Sequence, residues 1–271
     1  MKNLFIGLVC ALLISSALAT PKSTPCRVPA PSSTEAVLIV IVDRTAPRTS
    51  SLNAAIADSV LNAAKPGSRL VLWTFGGLNA GALPVLVHDI KVPKLETPQN
   101  NLSHFANQLL LSDKQSAAIE ICALSHIRSL QTEFYERVKV ELAVAEGSES
   151  LGASPILSAI NSALAPFATS AQASVKVLVA TDGREHSGLL SFYPKAGEKL
   201  SADELVVKAG KVYPAHWYGV TFHFAGLGIS DNGDLALLED MRQVWAQIIT
   251  RRGGLVGELS PSSVQKLSEG K

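Results

Sequence analysis

Residues 36–42, AVLIVIV, decide the fold class of this 271-residue chain. The run is continuous in aliphatic and β-branched side chains, which is typical of a parallel strand that is buried on both faces. Similar runs follow at residues 69–75, 175–181 and 218–225, and a shorter one at 255–259 is a candidate for a last edge strand. We therefore predict one sheet of mostly parallel strands.

Between these runs the apolar residues change to a helical period. Residues 51–64 place Leu52, Ile56 and Val60 on one face, and residues 238–248 show the same spacing. Strands that alternate with helices predict an open, doubly wound α/β sheet. In such sheets ligands bind beyond the carboxyl ends of the strands.

The last predicted helix carries its own start signals. Asp231 and Asn232 are the expected caps, with Asp234 in the first turn. Arg251, Arg252 and two glycines follow its apolar face and mark its end.

Two regions depart from a minimal sheet. Residues 84–88 predict an edge strand, where a leading proline is tolerated. Residues 100–145 carry two helical patterns that divide near Ser112 and Asp113, and the second pattern has apolar residues at Ala117, Ile121, Leu124, Ile127, Phe134 and Val138. We interpret this region as a helical insertion in one domain of residues 35–259, since no linker separates it from the sheet.

The N-terminal segment has the pattern of an export signal. Lys2 precedes an apolar stretch that ends in Ala17-Leu18-Ala19, and we expect cleavage after Ala19, which makes residues 1–19 a signal peptide. The stretch is shorter than the roughly 20 residues of a spanning helix, so we expect no stable membrane span after cleavage; an uncleaved anchor is the alternative. The short signal and the absence of a lipidation pattern at Cys10 indicate a bacterial periplasmic or secreted protein.

The segments that flank the domain are polar. Residues 20–34 are rich in proline, serine and threonine and predict an extended linker. Residues 260–271 predict a flexible tail. Cys26 of the linker and Cys122 are the cysteines that remain after cleavage, and exported chains commonly join such a pair in a disulfide. The alternative is a buried thiol at Cys122 and a free Cys26.

The charge balance argues against one class of partner. The chain has 24 Lys and Arg residues against 23 Asp and Glu residues, and removal of Lys2 with the signal brings the formal net charge from +1 to zero. Nucleic-acid binding normally requires a marked basic excess, so we expect no nucleic-acid partner.

Three predicted loops carry oxygen-bearing side chains at positions that would converge. Asp43 and Thr45 follow the first strand, Ser154 precedes a helix, and Asp182 follows the strand at 175–181. Two carboxylates and two hydroxyls around one point suit a hard divalent cation, which takes about six oxygen ligands. Each side chain could equally cap the turn or helix that follows it.

The order strand-Asp-x-Thr, then Gly-x-Ser-Pro-x-Leu at a helix start, then strand-Thr-Asp-Gly resembles the von Willebrand factor type A domain with its metal-ion-dependent adhesion site. The resemblance covers residues 35–259, with 100–145 the least matched part. It implies a doubly wound sheet with one antiparallel edge strand, which residues 84–88 would supply. It also implies Mg²⁺ or Mn²⁺ held by Asp43, Thr45, Ser154 and Asp182, with a carboxylate of the bound partner completing the metal shell.

The sequence departs from the family at Pro47, where the motif has a second serine. Proline cannot ligate a metal, so one contact is missing unless Thr49 or Ser50 turns inward. Arg44 is a candidate for a cation that replaces the metal, for instance by pairing with Asp182. The site is therefore a degenerate version of the family's site.

These observations lead to three functional hypotheses. The first is a non-enzymatic module that binds another protein of the cell envelope, with a divalent cation as a possible bridge. The second is a metal-free structural subunit of an envelope assembly. The third is a divalent-metal hydrolase, for which Glu185 or His186 would have to act as general base. A triad of Asp182, His186 and Ser187 is disfavoured because all three lie within six positions of one loop.

Overall fold

The computed structural model describes residues 36–76, 83–94, 113–144, 153–167, 174–193, 201–213, 216–229, 234–262, 264–265 and 267–268, with side chains from residue 117 onward in the segment 113–144. The predicted signal peptide, the linker with Cys26, and the first helical pattern of the insertion lie outside these residues. Among the described residues no helix is both long and apolar enough to cross a membrane.

The sheet has the architecture that the sequence predicts. Its strands are β1 (Ala36–Asp43), β2 (Ser68–Phe75), β3 (Val85–Lys91), β4 (Val175–Ala180), β5 (Val220–Ala225) and β6 (Leu255–Ser260). Their order is β3-β2-β1-β4-β5-β6. Every neighbouring pair is parallel except β2 and β3, which are antiparallel. The fold class, including the antiparallel edge strand, is confirmed.

Helices cover both faces of the sheet. They are α1 (Ser50–Ala63), α2 (Asp113–Val144), α3 (Ile156–Leu164), α4 (Ala202–Val212) and α5 (Leu235–Arg251). One core joins α3, α4 and α5 to the face that carries Ile39 and Phe222. A second core joins α1 and α2 to the opposite face, which carries Leu38 and Val40. Since side chains alternate along a strand, β1 contributes to both cores and is buried from Val37 to Asp43.

The structure differs from the sequence predictions in several local features. The cap of α5 is Asp234, whose side chain accepts hydrogen bonds from Ala236 N at 3.0 Å and Leu237 N at 3.2 Å, so Asp234 lies before the first turn rather than in it. Ile121, expected on the apolar face of the insertion, is 67% exposed. Helix α4 has no counterpart among the predicted elements. Its apolar face is short, with Leu205, Val206 and Ala209 buried.

Part of the predicted tail is packed against the domain. Val264 and Leu267 are buried beside α1 and β4. Lys176 Nζ donates to Leu267 O at 2.8 Å, and Lys65 Nζ donates to Ser268 O at 2.8 Å. Two apolar residues three positions apart hold this segment against a sheet face. The mostly polar composition of residues 260–271 does not indicate this packing.

Cys122 lies on the long helix α2 and is disulfide-bonded. Its predicted partner, Cys26, lies outside the described residues. The pairing of these two cysteines therefore stays a prediction.

Candidate functional site

The register of the sheet brings the predicted loops together at its carboxyl edge. β1 and β4 are parallel neighbours in which Val42 is aligned with Ala180. The residues that follow, Asp43 and Thr181, therefore lie side by side where the two strands end. The loop before α3 joins them from the face that α3 covers.

Asp43 is the centre of this edge. Its carboxylate is completely buried. The Oδ1 atom accepts from Thr45 N at 2.8 Å and from Thr45 Oγ1 at 2.6 Å, and the Oδ2 atom accepts from Ser154 Oγ at 2.7 Å and from Thr181 Oγ1 at 2.8 Å. A carboxylate has about four acceptor sites, so these four bonds satisfy Asp43 without any further ligand.

The structure thus unites three of the four predicted site residues, namely Asp43, Thr45 and Ser154, in direct hydrogen bonds. It adds Thr181, which was part of the third predicted loop but was not singled out as a site residue. The signal was present in the sequence, since Thr181 is a hydroxyl residue that directly follows a buried strand.

Asp182 holds the third loop in shape. It is almost completely buried, and its Oδ1 atom accepts from Arg184 N at 3.0 Å. Its backbone oxygen accepts from Gly228 N at 2.8 Å, which ties the loop to the end of β5. The next residue, Gly183, has φ of +83° and lies so close to Leu227 that an added Cβ would be 2.2 Å from a methyl carbon. Only glycine fits this turn.

The second and third loops are joined by their backbones. Ser154 N donates to His186 O at 2.7 Å, and His186 N donates to Ser154 O at 2.8 Å. This isolated antiparallel bridge fixes Ser154 against the segment that carries Asp182.

Glu185 provides the cap that helix α3 does not supply for itself. Pro155 stands at the N-cap position without a side-chain bond, and Glu185 Oε2 accepts from Leu157 N at 2.8 Å. Glu185 is fully buried. Burial raises the pKa of its carboxyl to about 7, against the lowering effect of the hydrogen bond from Leu157. This carboxyl is enclosed by the protein, which is unfavourable for a general base acting on a bound substrate.

The remaining hydrolytic candidates are engaged with other groups. His186 Nδ1 lies 3.2 Å from Ser191 Oγ, and Ser187 Oγ donates to Leu190 O at 3.2 Å. Asp182 uses its Oδ1 atom for the turn described above. The geometry therefore gives no chain of hydrogen bonds from Asp182 through His186 to Ser187.

Thr49 and Ser50, the candidates to replace the serine missing at Pro47, do not turn inward. Thr49 is exposed and caps α1, accepting from Leu52 N at 3.2 Å, and Ser50 is exposed in the first turn. The alternative in which Thr49 or Ser50 turns inward to replace the missing serine is therefore wrong. Thr49 does not turn inward because the first turn of α1 needs an acceptor for its free backbone amides, and the Thr49 hydroxyl is that acceptor.

Arg44 has one of its partners on the helical insertion. Its guanidinium forms an ion pair with Glu141 near the end of α2, with Nε donating to Glu141 Oε2 at 3.0 Å. Arg44 therefore links the first loop to the helical insertion.

Arg48, which the sequence reasoning missed, is the arginine buried beneath this edge. It is 5% exposed. Its Nε donates to Asn53 Oδ1 at 3.1 Å, and its Nη1 donates to Ala180 O at 3.2 Å. Asn53 Nδ2 in turn donates to Leu142 O of α2 at 3.1 Å.

The loop after Asp182 presents a rim, which we define as the half-buried Arg184 and the exposed His186, Leu189 and Tyr193. Leu189 is 71% exposed and Tyr193 is 41% exposed. The Arg184 guanidinium lies 5.0 Å from the centre of the Tyr193 ring, and the His186 ring packs edge-on against the same ring at 5.3 Å. Burial raises the pKa of Tyr193, and the negative charges of Asp182 and Asp43 act in the same direction.

The structure leaves fewer protein donors for a divalent cation than the resemblance implies. Asp43 already accepts four hydrogen bonds, Pro47 offers no hydroxyl, and Thr49 caps a helix. Thr45, Ser154 and Asp182 would remain as protein donors, and waters and a partner carboxylate would have to supply the rest of about six oxygen ligands. Among the described residues no group of three or more His, Cys, Asp or Glu side chains is arranged to hold a metal ion.

No protein-family model matches the chain, and no curated protein matches it either. Solved structures similar to it include an aerotolerance-related membrane protein from Bacteroides fragilis, with 12% identity and a TM-score of 0.34, over 86% of this chain and 93% of that one. The VWA domain of SpRpn10 is 10% identical with a TM-score of 0.32, over 86% of this chain and 92% of that domain.

The pilus adhesin SpaC from Lactobacillus rhamnosus GG is also similar, with 12% identity and a TM-score of 0.42. The match covers 89% of this chain but only 29% of the adhesin. At these levels of similarity none of the three structures assigns a role to a residue of this chain.

Proposed function

We propose that this chain is an exported, non-enzymatic module that binds another protein of the bacterial cell envelope, in the periplasm or outside the cell. The contact surface in this proposal is the rim above the carboxyl edge. The buried acids beneath it act as a scaffold that shapes the loops.

The observation that carries this proposal is the combination of a rigid base with an exposed apolar and aromatic surface. Leu189 and Tyr193 are exposed although the loop that carries them is held by the bridge between Ser154 and His186 and by the turn at Asp182. Tyrosine and arginine are enriched at the energetic centres of protein interfaces. A surface that is already ordered loses little conformational entropy on binding.

A hydrolase is less well supported. Glu185 is enclosed in the core and caps α3, and His186 and Ser187 bond to neighbours in their own loop. His186 does lie beside the Ser191 hydroxyl, but among the described residues no carboxylate bonds to the His186 ring to orient it as a general base.

The test is a pull-down from envelope extract with the mature chain, from Thr20 onward, as immobilised bait. Tyr193→Ala and Leu189→Ser are expected to weaken capture of the bound protein about tenfold or more each, as truncation of an interface anchor does. The matched controls are Tyr218→Ala and Val207→Ser, because Tyr218 is 75% and Val207 is 46% exposed at sites away from the rim.

Circular dichroism melts of all four variants would check that each is folded. Equal capture by the rim variants and the controls would contradict the proposal. A parallel pull-down with chelator separates two versions of it, because loss of the partner on chelation would support a bridging cation and unchanged capture would support metal-independent binding.

A further inference from the structure

We propose that Arg48 supplies the positive charge that balances the Asp43 and Asp182 carboxylates, so that the carboxyl edge is built to work without a divalent cation. The inference deepens the proposed function, on which it rests for its consequence that partner binding is independent of metal.

The first step is the position of Arg48. It stands directly before the cap of α1 and is almost completely buried. Two hydrogen bonds fix its guanidinium, one to Asn53 on α1 and one to Ala180 O at the end of β4. Ala180 directly precedes Thr181, whose hydroxyl bonds to Asp43, and Asp182 follows. The charge is therefore anchored beneath the loops that carry both acids.

The second step is the need of this guanidinium for a counter-charge. Asn53 Oδ1 and Ala180 O are neutral acceptors, and among the described residues Nη2 has no hydrogen-bond partner. A buried charge is costly unless opposite charges compensate for it. Burial lowers the pKa of Arg48 to about 10, and the negative charges of Asp43 and Asp182 act against this lowering. Arg48 therefore remains a cation at neutral pH, and the two acids are the charges that stabilise it.

The third step is the need of the acids for a cation. Asp43 takes its four hydrogen bonds from one backbone amide and three hydroxyls, all of them neutral donors. These donors satisfy its lone pairs but not its net charge. In a metal-binding edge the divalent ion would provide that charge, whereas here a cation is already part of the fold.

The matched control is Arg252, a second buried arginine at the amino ends of β5 and β6. Its guanidinium donates to the carbonyls of Ala209 at 2.8 Å, Tyr213 at 3.0 Å and Ile248 at 3.3 Å, and lies 4.7 Å from the Trp217 ring. Burial is the cause that lowers the pKa of Arg252. Removing Arg252 therefore removes a buried arginine without exposing a pair of acids.

The experiment is thermal unfolding of the mature chain, followed by circular dichroism, in chelator and in millimolar Mg²⁺ or Mn²⁺. We expect the Tm of the wild type to be the same in all three solutions. Arg48→Met should melt lower in chelator and recover about 5 °C in metal, because removal of the internal cation opens the acids to an external one. Arg252→Met should also melt lower but show no recovery in metal.

Two results would overturn the proposal. One is a rise of several degrees in the Tm of the wild type with metal, abolished by Asp182→Asn. The other is an unchanged Tm of Arg48→Met in metal, because Arg48 would then not be what keeps a cation out.

If Arg48→Met fails to fold, the double variant Arg48→Met with Asp182→Asn keeps the proposal testable. Removal of one carboxylate should restore folding or raise the Tm above that of the single variant, and failure to do so would contradict the charge balance. These melts require no partner, so their outcome is independent of whether the rim variants lose capture in the pull-down.

Discussion

Arg48 and Arg252 are both buried, but they lie at opposite edges of the sheet and have different kinds of neighbour. Arg252 lies where α4 and α5 end and donates to backbone carbonyls in or just after the last turns of those helices. A cation at helix C-termini is favoured by the helix dipoles as well as by these hydrogen bonds. Arg48 lies at the carboxyl edge, where Asp43 and Asp182 are the opposing charges.

The difference separates two uses of a buried charge. At the amino edge, Arg252 connects the ends of two helices and the Trp217 ring, and among the described residues it has no ionised hydrogen-bond partner. At the carboxyl edge, Arg48 belongs to a group of charges, so that the loss of one member leaves another uncompensated. Changes at the carboxyl edge should therefore depend on charge, metal and pH, and changes at the amino edge should not.

The largest expected effect is that of Asp43→Ala. The substitution leaves the hydroxyls of Thr45, Ser154 and Thr181 without their acceptor and removes one counter-charge of Arg48. We expect the free energy of unfolding to fall by about 3–5 kcal/mol, as when one partner of a buried charged group is removed. Urea denaturation of the wild type and of Asp43→Ala measures this difference in the free energy of unfolding.

The control for this variant is Asp89→Ala. Asp89 pairs with Arg69 across β2 and β3, with Nε donating at 2.9 Å, but the pair is partly exposed. Its loss should cost less than about 1 kcal/mol. A cost of Asp43→Ala as small as that of the control would show that the carboxyl edge is no more tightly coupled than the surface.

The sequence predicts the carboxyl edge well because two strong physical constraints act there. Continuous apolar runs such as residues 36–42 are typical of buried strands, and parallel strands on one sheet bring Asp43 and Asp182 to the same edge. Residues 84–88 predict an edge strand because a leading proline is tolerated there, whereas its antiparallel direction was implied by the resemblance alone.

The features that the sequence does not reveal depend on contacts between distant segments. Arg48 stands before a helix in a polar stretch, where arginine is normally exposed, and its burial depends on Asn53 and Ala180. Glu185 likewise follows a turn, and only the approach of α3 makes it a cap. Ile121 fits the helical period of α2 but is 67% exposed, whereas Ala123 and Ile127 near it are buried.

The next prediction concerns pH and Glu185. Its carboxyl has a pKa of about 7 in the folded chain against 4.5 in the unfolded chain, because burial disfavours the ionised form. Between these values the folded state binds the extra proton, so stability is full below pH 4.5 and falls as the pH rises toward about 7. The loss should amount to about 3 kcal/mol at most.

Urea denaturation of the wild type and of Glu185→Gln across this range measures the effect. Glutamine retains an acceptor for Leu157 N but does not ionise. The free energy of unfolding of Glu185→Gln should therefore fall less between pH 4.5 and about 7 than that of the wild type. Parallel curves for the two proteins would mean that Glu185 titrates in the folded chain as it does in the unfolded one. Arg252→Met should leave the wild-type pH profile unchanged in shape, since no acid in the described part of the chain acts on Arg252.

The smallest expected effect is the coupling between the two arginines themselves. Because Arg48 and Arg252 share no partner and lie at opposite edges, the stability losses of Arg48→Met and Arg252→Met should add within about 0.5 kcal/mol in the double variant. The losses of Arg48→Met and Asp182→Asn should instead deviate from additivity by about 1 kcal/mol or more, because each removes the charge that the other balances. Both cycles can be measured by urea denaturation at neutral pH. A large coupling between the two arginines would mean that the sheet transmits strain from one edge to the other. Additive losses for Arg48→Met and Asp182→Asn would remove the electrostatic distinction between the edges. The two arginines would then differ only in their hydrogen bonds.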